Sequence, residues 1–462
     1  MRLTALHVKN FRCFSELHIQ FNQCGRLISK GERTLEVAPL TVLVARNGQG
    51  KTAVLDSARV AFGTYADAFD YGFPVHIEKT DIRIAPAPSV GQEQLMTPVV
   101  IEAEGEISGA RVAWSRERGK ENGRTSNKNA KPVTEYGQNL KASLAKPEGG
   151  EVILPVLAHY GTGRLWKKHR DTLHDNPLVR PRDYGYDYAL AEDANYKSLA
   201  KWLFEALQQE MTDKAYGLQG DIAMHGQLAA IRRALAEMLG DEGYESTLHV
   251  SRKFQDLAIR RTVQGEDGGE MGVSVPVSAL SDGTRAVFFM IADLAFRCAK
   301  LNPGLGAEAA EHTPGIVLVD EVDLHLHPAW QQKILDTLQW SFPKVQFIVT
   351  THSPQVISSI PRECVRILED GKVANFEIQT QGVEVEDILS GIFGTHPLPQ
   401  NLLVVQKLNR LDAMVSEGLQ DTAEWQNLYR ELETYYGPDY APLLGVAAHA
   451  EFMRNRKGAP RA

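Results

Sequence analysis

Cysteine is scarce in this chain: four residues in 462, Cys13, Cys24, Cys298 and Cys364, with no CxxC pair and no histidine at ligand spacing from them. That scarcity excludes a disulfide-stapled scaffold and predicts no structural zinc site. Long apolar runs are missing too. The most apolar stretch, Val287–Phe296, is ten residues long and contains Asp293. A membrane-spanning helix needs about 20 apolar residues, so neither a span nor a membrane partner is expected. Arg2, Lys9, Arg12 and Glu16 interrupt any apolar leader, which predicts no signal peptide and a cytoplasmic protein. There is no excess of positive charge. The 50 Lys and Arg face 58 Asp and Glu, a net −8, which excludes a protein basic over its whole surface while leaving room for a local basic groove. No internal repeat or long heptad run is present. What remains, 43% hydrophobic and 23% charged residues, is the composition of a globular protein with chain enough for two or three domains.

Periodicity places the elements. Leu3–Lys9 and Ser15–Phe21 alternate with period two and predict strands. Leu40–Val44 is a short β-branched run suited to a buried strand, followed by a glycine-containing loop and a helix-compatible stretch, Ala53–Phe62. Val99–Ile107 and Arg111–Trp114 predict a hairpin. Between Arg111 and Lys146 nine Lys and Arg face three Glu, a net +6 among many Gly, Asn and Ser, which predicts an exposed or disordered loop. Residues 195–240 read as helical, with Leu199, Trp202, Leu203 and Leu207 on one face; Val273–Val277 reads as a strand and Ser281–Lys300 as a mostly buried helix. Gly315–Val319 and Gln346–Thr350 are short apolar strands with a helix, Ala329–Ser341, between them, an order that argues for a parallel sheet. Residues 402–458 predict about three helices, one carrying Val404, Leu408, Leu411 and Val415 as a stripe.

Four segments carry chemistry. Ala45-Arg46-Asn47-Gly48-Gln49-Gly50-Lys51-Thr52 fits a Walker A loop with Ala in the first glycine position. Backbone N–H groups of such a loop and the following helix N-terminus bind phosphate; Lys51 reaches the β- and γ-phosphates and the Thr52 hydroxyl binds Mg²⁺. Ile316-Val-Leu-Val-Asp320-Glu321 delivers two carboxylates at a strand's C-terminal edge, where open α/β sheets bind ligands. Asp320 is expected to hold Mg²⁺ through water and Glu321 to orient and deprotonate the attacking water. Ser281-Asp282-Gly283-Thr284-Arg285 precedes a helix, and read alone it is also an ordinary helix cap. His352, in Thr350-Thr-His-Ser-Pro354, follows a strand beyond Asp320 and read alone could be a core histidine.

The order of these four segments resembles ABC-type ATPase heads, over residues 1–62 and about 275–375. The resemblance implies an α/β fold: an ABC-type P-loop NTPase head with an inserted helical and basic region and a helical C-terminal tail. It implies ATP and Mg²⁺ as cofactors, His352 facing the γ-phosphate, and a head dimer in which Ser281, Gly283 and Arg285 of one copy close over the Walker A loop of the other. Asn10-Phe11-Arg12 ahead of the Walker A loop is similar to the recombination and chromosome-maintenance branch, which adds Arg12 to the nucleotide-binding set. Glu321-Val-Asp-Leu-His325-Leu-His327-Pro328 is similar to the overcoming-lysogenization-defect and related anti-phage ATPases; His325 and His327 are read as loop residues beside the nucleotide, not metal ligands. Pro155–Arg164, Tyr184–Leu190 leading to Lys201–Glu205, and Asp387–Thr395 resemble the ATPase subunit of the Septu anti-phage system, also found with retrons, whose partner is an HNH-type nuclease encoded nearby. The other reading is a RecF-like repair clamp with no nuclease partner; a transporter head has no support.

Four regions follow: residues 1–64 and 271–380 form the head, 65–270 the inserted region and 381–462 a helical region that is the candidate for partner docking. The Q-loop Gln that usually follows Walker A in this class is not identified by the pattern; Gln92, Gln94 and Asp81 are the candidates. The tail after His352 has no Asp-x-Asp and no spaced acidic triad, so no intrinsic nuclease is expected. Two basic stretches, Arg111–Lys146 and Arg164 to Arg182, make nucleic acid an expected partner, with Tyr160 and Trp166 as possible stacking residues.

Overall fold

A computed structural model describes residues 1–86, 93–146, 152–163, 180–191, 196–241, 243–264 and 270–458. Arg164, Trp166, Lys167, Lys168, Arg170 and Gln92 lie outside the described residues. The chain divides into two compact units, Met1–Val383 and Glu384–Ala462.

The first unit is built on a six-stranded sheet. Its order is Val156–Tyr160, Gly315–Val319, Val345–Thr351, Leu40–Val44, Val365–Glu369 and Lys372–Ala374. The first five run parallel and only the last edge strand is antiparallel. Every residue of Leu40–Val44, Gly315–Val319 and Val345–Thr351 is buried. A parallel strand covered on both faces is apolar throughout, which is why these segments read as continuous hydrophobic runs.

Arg2–Phe11, Phe14–Gln20, Val99–Ile107 and Ala110–Arg118 form a second, antiparallel sheet in which Arg2–Phe11 is central. Gln346 links the two sheets: its side chain accepts from Leu3 N and donates to Leu3 O, both at 2.8 Å. Helix Lys51–Ala66 touches both. Its Ala61 carbonyl accepts the Trp114 indole N–H at 2.9 Å, and Phe62 meets the Trp114 ring at 5.4 Å. Helices Tyr196–Tyr216 and Ile222–Asp241 lead into a three-stranded meander, Tyr244–Ser251, Asp256–Gln264 and Glu270–Pro276. Leu199, Trp202, Leu203 and Leu207 are all buried, as their spacing requires.

Two expectations are corrected. Arg111–Lys146 is not a loop: it continues a strand to Arg118, turns, and forms helix Lys131–Leu144 with Val133 and Gly137 buried. Arg116 is fully buried and donates to the carbonyls of Val60 (2.7 Å) and Val75, so part of the segment's charge is internal. Tyr160 is core: its hydroxyl donates to Asp293 at 2.8 Å, which also accepts from Arg297 at 2.7 Å.

The second unit has helices Leu403–Ser416, Ala423–Tyr436 and Ala441–Gly458. Leu408, Leu411 and Val415 are buried with Met414, Trp425, Leu432 and Leu443, and Val404 packs against them. The apolar stripe is therefore the core of this unit, not an open docking face.

Candidate nucleotide site

The parallel strands place three chain segments together. Strand Leu40–Val44 feeds the loop Ala45–Gly50, and helix Lys51–Ala66 starts at once. Gly48 and Gly50 have φ of +79° and +91°, the left-handed region that glycine enters at no steric cost. A Cβ on Gly50 would also stand 2.4 Å from the Phe14 ring and 2.5 Å from the Cys13 sulfur. No side chain caps the helix and its first turn carries no acid, so its positive end stays open to an anion. Gln49 turns away, its amide oxygen accepting from Asp370 N at 2.9 Å.

Strand Gly315–Val319 delivers Asp320 and Glu321, and strand Val345–Thr351 delivers His352. The three segments meet around a cleft of about 310 Å³ whose lining includes Arg12, Asn47, Gly48, Gly50, Lys51, Thr52, Asp320, Glu321 and His352. Asp320 is buried; Thr52 Oγ1 donates to its Oδ2 at 2.9 Å. Lys51 Nζ lies 3.1 Å from the Ala45 carbonyl and 2.6 Å from His352 Nε2. Lys51 donates, so His352 is neutral at Nε2. Burial, then the Lys51 charge, lower the His352 pKa below its ordinary value. Burial also lowers that of Lys51, against the pull of Asp320, Glu321 and Asp323.

Arg12 sits at φ +50° in the turn between the first two strands. Its guanidinium donates to Asp81 at 2.8 Å and pairs with Asp56 on the Walker A helix. Burial opposes the Arg12 charge, but the two carboxylates outweigh it and raise its pKa. Of the two described candidates for the residue after Walker A, Asp81 pairs with Arg12 of this cleft, while Gln94 is exposed on a separate two-stranded hairpin.

Thr350 is the residue the sequence reading missed. It is completely buried, its hydroxyl donates to Asp320 Oδ1 at 2.5 Å and accepts the Glu321 N–H at 2.7 Å. Glu321 has φ +47°, costly for a residue with a Cβ, and that bond helps hold it there. Thr350 stands in the same motif as His352, and a buried hydroxyl at the end of a strand beside two carboxylates was the available signal.

Ser281, Gly283 and Arg285 are not brought to Lys51. Ser281 caps helix Asp282–Leu301, accepting from Thr284 N, and Arg285 pairs with Asp282 at 2.5 Å. Gly283 packs against the loop after Glu321: a Cβ there would lie 2.2 Å from the His325 carbonyl oxygen. His327 caps helix Pro328–Gln331 through its side chain.

A parallel sheet with a glycine loop at a helix N-terminus, and two acids after the strand two places away in the same sheet, defines a nucleotide-binding head of the P-loop class, here with a helical C-terminal region. The AAA-domain family profile matches residues 5–241 of the chain, just over half of it. The chain therefore belongs to the AAA-domain family. A second AAA-domain profile, whose description also names the AbiEii toxin and a type IV TA system, matches residues 174–358. Among similar proteins, the retron Ec83 probable ATPase of Escherichia coli is 24% identical over 98% of this chain and 87% of its own length. The retron Vc95 probable ATPase of Vibrio cholerae is 41% identical over 21% of this chain and 19% of its own. Septu protein PtuA of Bacillus thuringiensis is 32% identical over 25% of this chain and 31% of its own. The chain is thus related to retron ATPases and to PtuA. A solved SMC head bound to the C-terminal winged-helix domain of ScpA aligns over 81% of this chain and 98% of its own, at 16% identity and a TM-score of 0.43. No described helix is long and apolar enough to cross a membrane.

Proposed function

We propose that this chain is the ATP-binding and hydrolysing subunit of an anti-phage defence complex. Two copies sandwich ATP and thereby control a separately encoded HNH-type nuclease that acts on DNA. The observation that carries the reading is the convergence of Lys51, Thr52, Asp320, Glu321 and His352 on one cleft at the C-terminal edge of a parallel sheet.

In this reading the loop N–H groups around Gly48–Gly50 and the Lys51 ammonium bind the phosphates. The hard oxygen pair Thr52 Oγ1 and Asp320 Oδ2, 2.9 Å apart, fits Mg²⁺, which prefers oxygen ligands and keeps several waters. When bound, that ion neutralises phosphate charge. Glu321 takes the proton of the attacking water. Lys51 and His352 bind the γ-phosphate, exchanging their contact with each other for contacts with its oxygens. Arg12, held by Asp56 and Asp81, positions the strand turn beside the nucleotide. Ser281, Gly283 and Arg285 act on the ATP of the partner copy, which suits their place away from Lys51, with Ser281 exposed, Arg285 half-buried and Gly283 buried between them. Asn47 and Gln49 complete the loop.

DNA contact is assigned to the exposed Arg111, Lys120, Arg124, Lys128 and Lys131. Nuclease docking is assigned to the C-terminal unit, where Leu403, Leu444 and Phe452 remain exposed. Purification of the tagged chain from its native operon tests the reading. A stoichiometric small nuclease in the complex supports it. Recovery of the chain alone, or with DNA only, favours a RecF-like repair clamp instead.

A further inference from the structure

We propose that the outer face of the N-terminal antiparallel sheet binds one divalent transition-metal ion, Zn²⁺ being its representative, through His7, Glu16 and His18, with Glu102 supporting His7. This site is separate from the nucleotide cleft and does not depend on the function proposed above.

Register makes the cluster. His7 on strand Arg2–Phe11 pairs with His18 on Phe14–Gln20, and with Glu102 on Val99–Ile107 on its other side. Glu16 and His18 are two residues apart on one strand and so share a face. The His7 and His18 rings stack, with centroids 3.7 Å apart and planes 12° apart. Glu16 Oε1 lies 2.9 Å from His7 Nε2 and 3.7 Å from His18 Nε2. One ligand atom from each of the three residues falls within 4.8 Å of the others. Ligands of a tetrahedral Zn²⁺ at bonds of about 2.0–2.1 Å stand about 3.3 Å apart, between the two Glu16 distances. The rings lie face to face, so closure requires His18 to swing its Nε2 toward Glu16; its side chain is 70% exposed and free to do so.

His7 supplies a second, independent argument. Both of its ring nitrogens face carboxylates, Nδ1 at 2.7 Å from Glu102 and Nε2 at 2.9 Å from Glu16. A neutral imidazole has one N–H, so it can donate to only one of them. The other contact sets a nitrogen lone pair against a carboxylate oxygen. A proton or a cation between Nε2 and Glu16 removes that conflict. With a metal there, Nδ1–H donates to Glu102, the carboxylate–histidine–metal order that fixes a ligand's tautomer and orientation.

Two imidazoles and one carboxylate select a borderline ion such as Zn²⁺ over Mg²⁺, which prefers an all-oxygen shell. The Thr52–Asp320 pair and this cluster therefore take different ions. A metal here cross-links the two strands that flank the turn carrying Arg12. Nothing in the linear spacing of residues 7, 16 and 18 marks them as ligands; only the cross-strand pairing does.

The test is calorimetric titration of the chelator-stripped, full-length protein with Zn²⁺ at saturating Mg²⁺, repeated with Co²⁺ followed by visible absorption. The expected result is one Zn²⁺ per chain, with binding abolished in His7→Ala and weakened about tenfold or more in His18→Ala and Glu102→Gln. A rise in melting temperature with Zn²⁺ should be seen in the wild type and not in His7→Ala. The absence of saturable binding, or an unchanged affinity in His18→Ala, overturns the proposal. His18 and Glu102 are exposed and His7 is half-buried, so His18→Ala decides the matter should His7→Ala fail to fold.

Discussion

Thr350→Val replaces a buried hydroxyl with a methyl of the same shape. It deletes two hydrogen bonds at once, the 2.5 Å bond to the Asp320 carboxylate and the 2.7 Å bond from Glu321 N–H. A neutral bond is worth about 0.5–1.5 kcal/mol and one to a charged group about 1.5–3, so the pair contributes about 2–4 kcal/mol. Part of that holds the fold, and part holds Asp320 toward Thr52 and Glu321 in its left-handed backbone. If half aims the carboxylates, about 1–2 kcal/mol, ATP turnover falls about 5–30-fold and more Mg²⁺ is needed for half-maximal rate. Thr350→Ser keeps the hydroxyl and restores both. The assay is phosphate release against Mg²⁺ concentration, with thermal melting as the control for folding. Hydrolysis by Thr350→Val within twofold of wild type, or Thr350→Ser behaving as Thr350→Val, would refute the argument.

Three other outcomes follow from the geometry. Gly50→Ala sets a Cβ against Phe14 and Cys13 at a φ of +91°, so nucleotide binding measured by fluorescence should be lost while the rest of the fold persists. The left-handed backbone alone costs about 1–2 kcal/mol, before the overlap is relieved. Gly283→Ala, whose Cβ would stand 2.2 Å from the His325 carbonyl, should lower stability by about 1–3 kcal/mol in denaturant melts of the nucleotide-free protein. The His352 pKa lies below its ordinary value without nucleotide, through burial and the Lys51 charge. A phosphate anion beside it raises that pKa, so nucleotide binding takes up a proton. ATP affinity should then strengthen in the wild type as pH falls toward the lowered pKa of the free protein's His352, and should not strengthen in His352→Gln, where only the phosphate titrates and its protonation weakens binding. Equal slopes in the two proteins would show that His352 does not meet the phosphate.

The nucleotide cleft was legible because its chemistry is local. The loop from Ala45 to Thr52 and the strand ending at Asp320 and Glu321 each encode a strand, a turn and a functional group within a few residues. The parallel sheet was legible for a related reason, since strands buried on both faces are apolar throughout. Strands Val156–Tyr160 and Val365–Glu369 escaped because His159, Arg366 and Glu369 break the apolar run, and only their neighbours in the sheet make them strands. The helix Lys131–Leu144 was hidden by composition. Its polar residues face solvent, while Val133 and Gly137 are buried, and Gly137 stands close to Tyr65 of the Walker A helix and to Ala68 just beyond it. Arg12 with Asp56 and Asp81, and Thr350 with Asp320, are pairings across 30 to 69 residues, which spacing does not reveal. The segment Ser281–Arg285 reads as a signature and also as a helix cap, and in a single copy it performs the cap.

The central claim is that this site closes over ATP between two copies. Sedimentation of Glu321→Gln with and without ATP and Mg²⁺ measures it most directly. Glu321→Gln keeps the side chain's shape but removes the base, so the account predicts an assembly of two heads, or a multiple of two, that forms with ATP and that Lys51→Ala abolishes. An unchanged mass with ATP bound, or the same assembly with and without nucleotide in both variants, would contradict it.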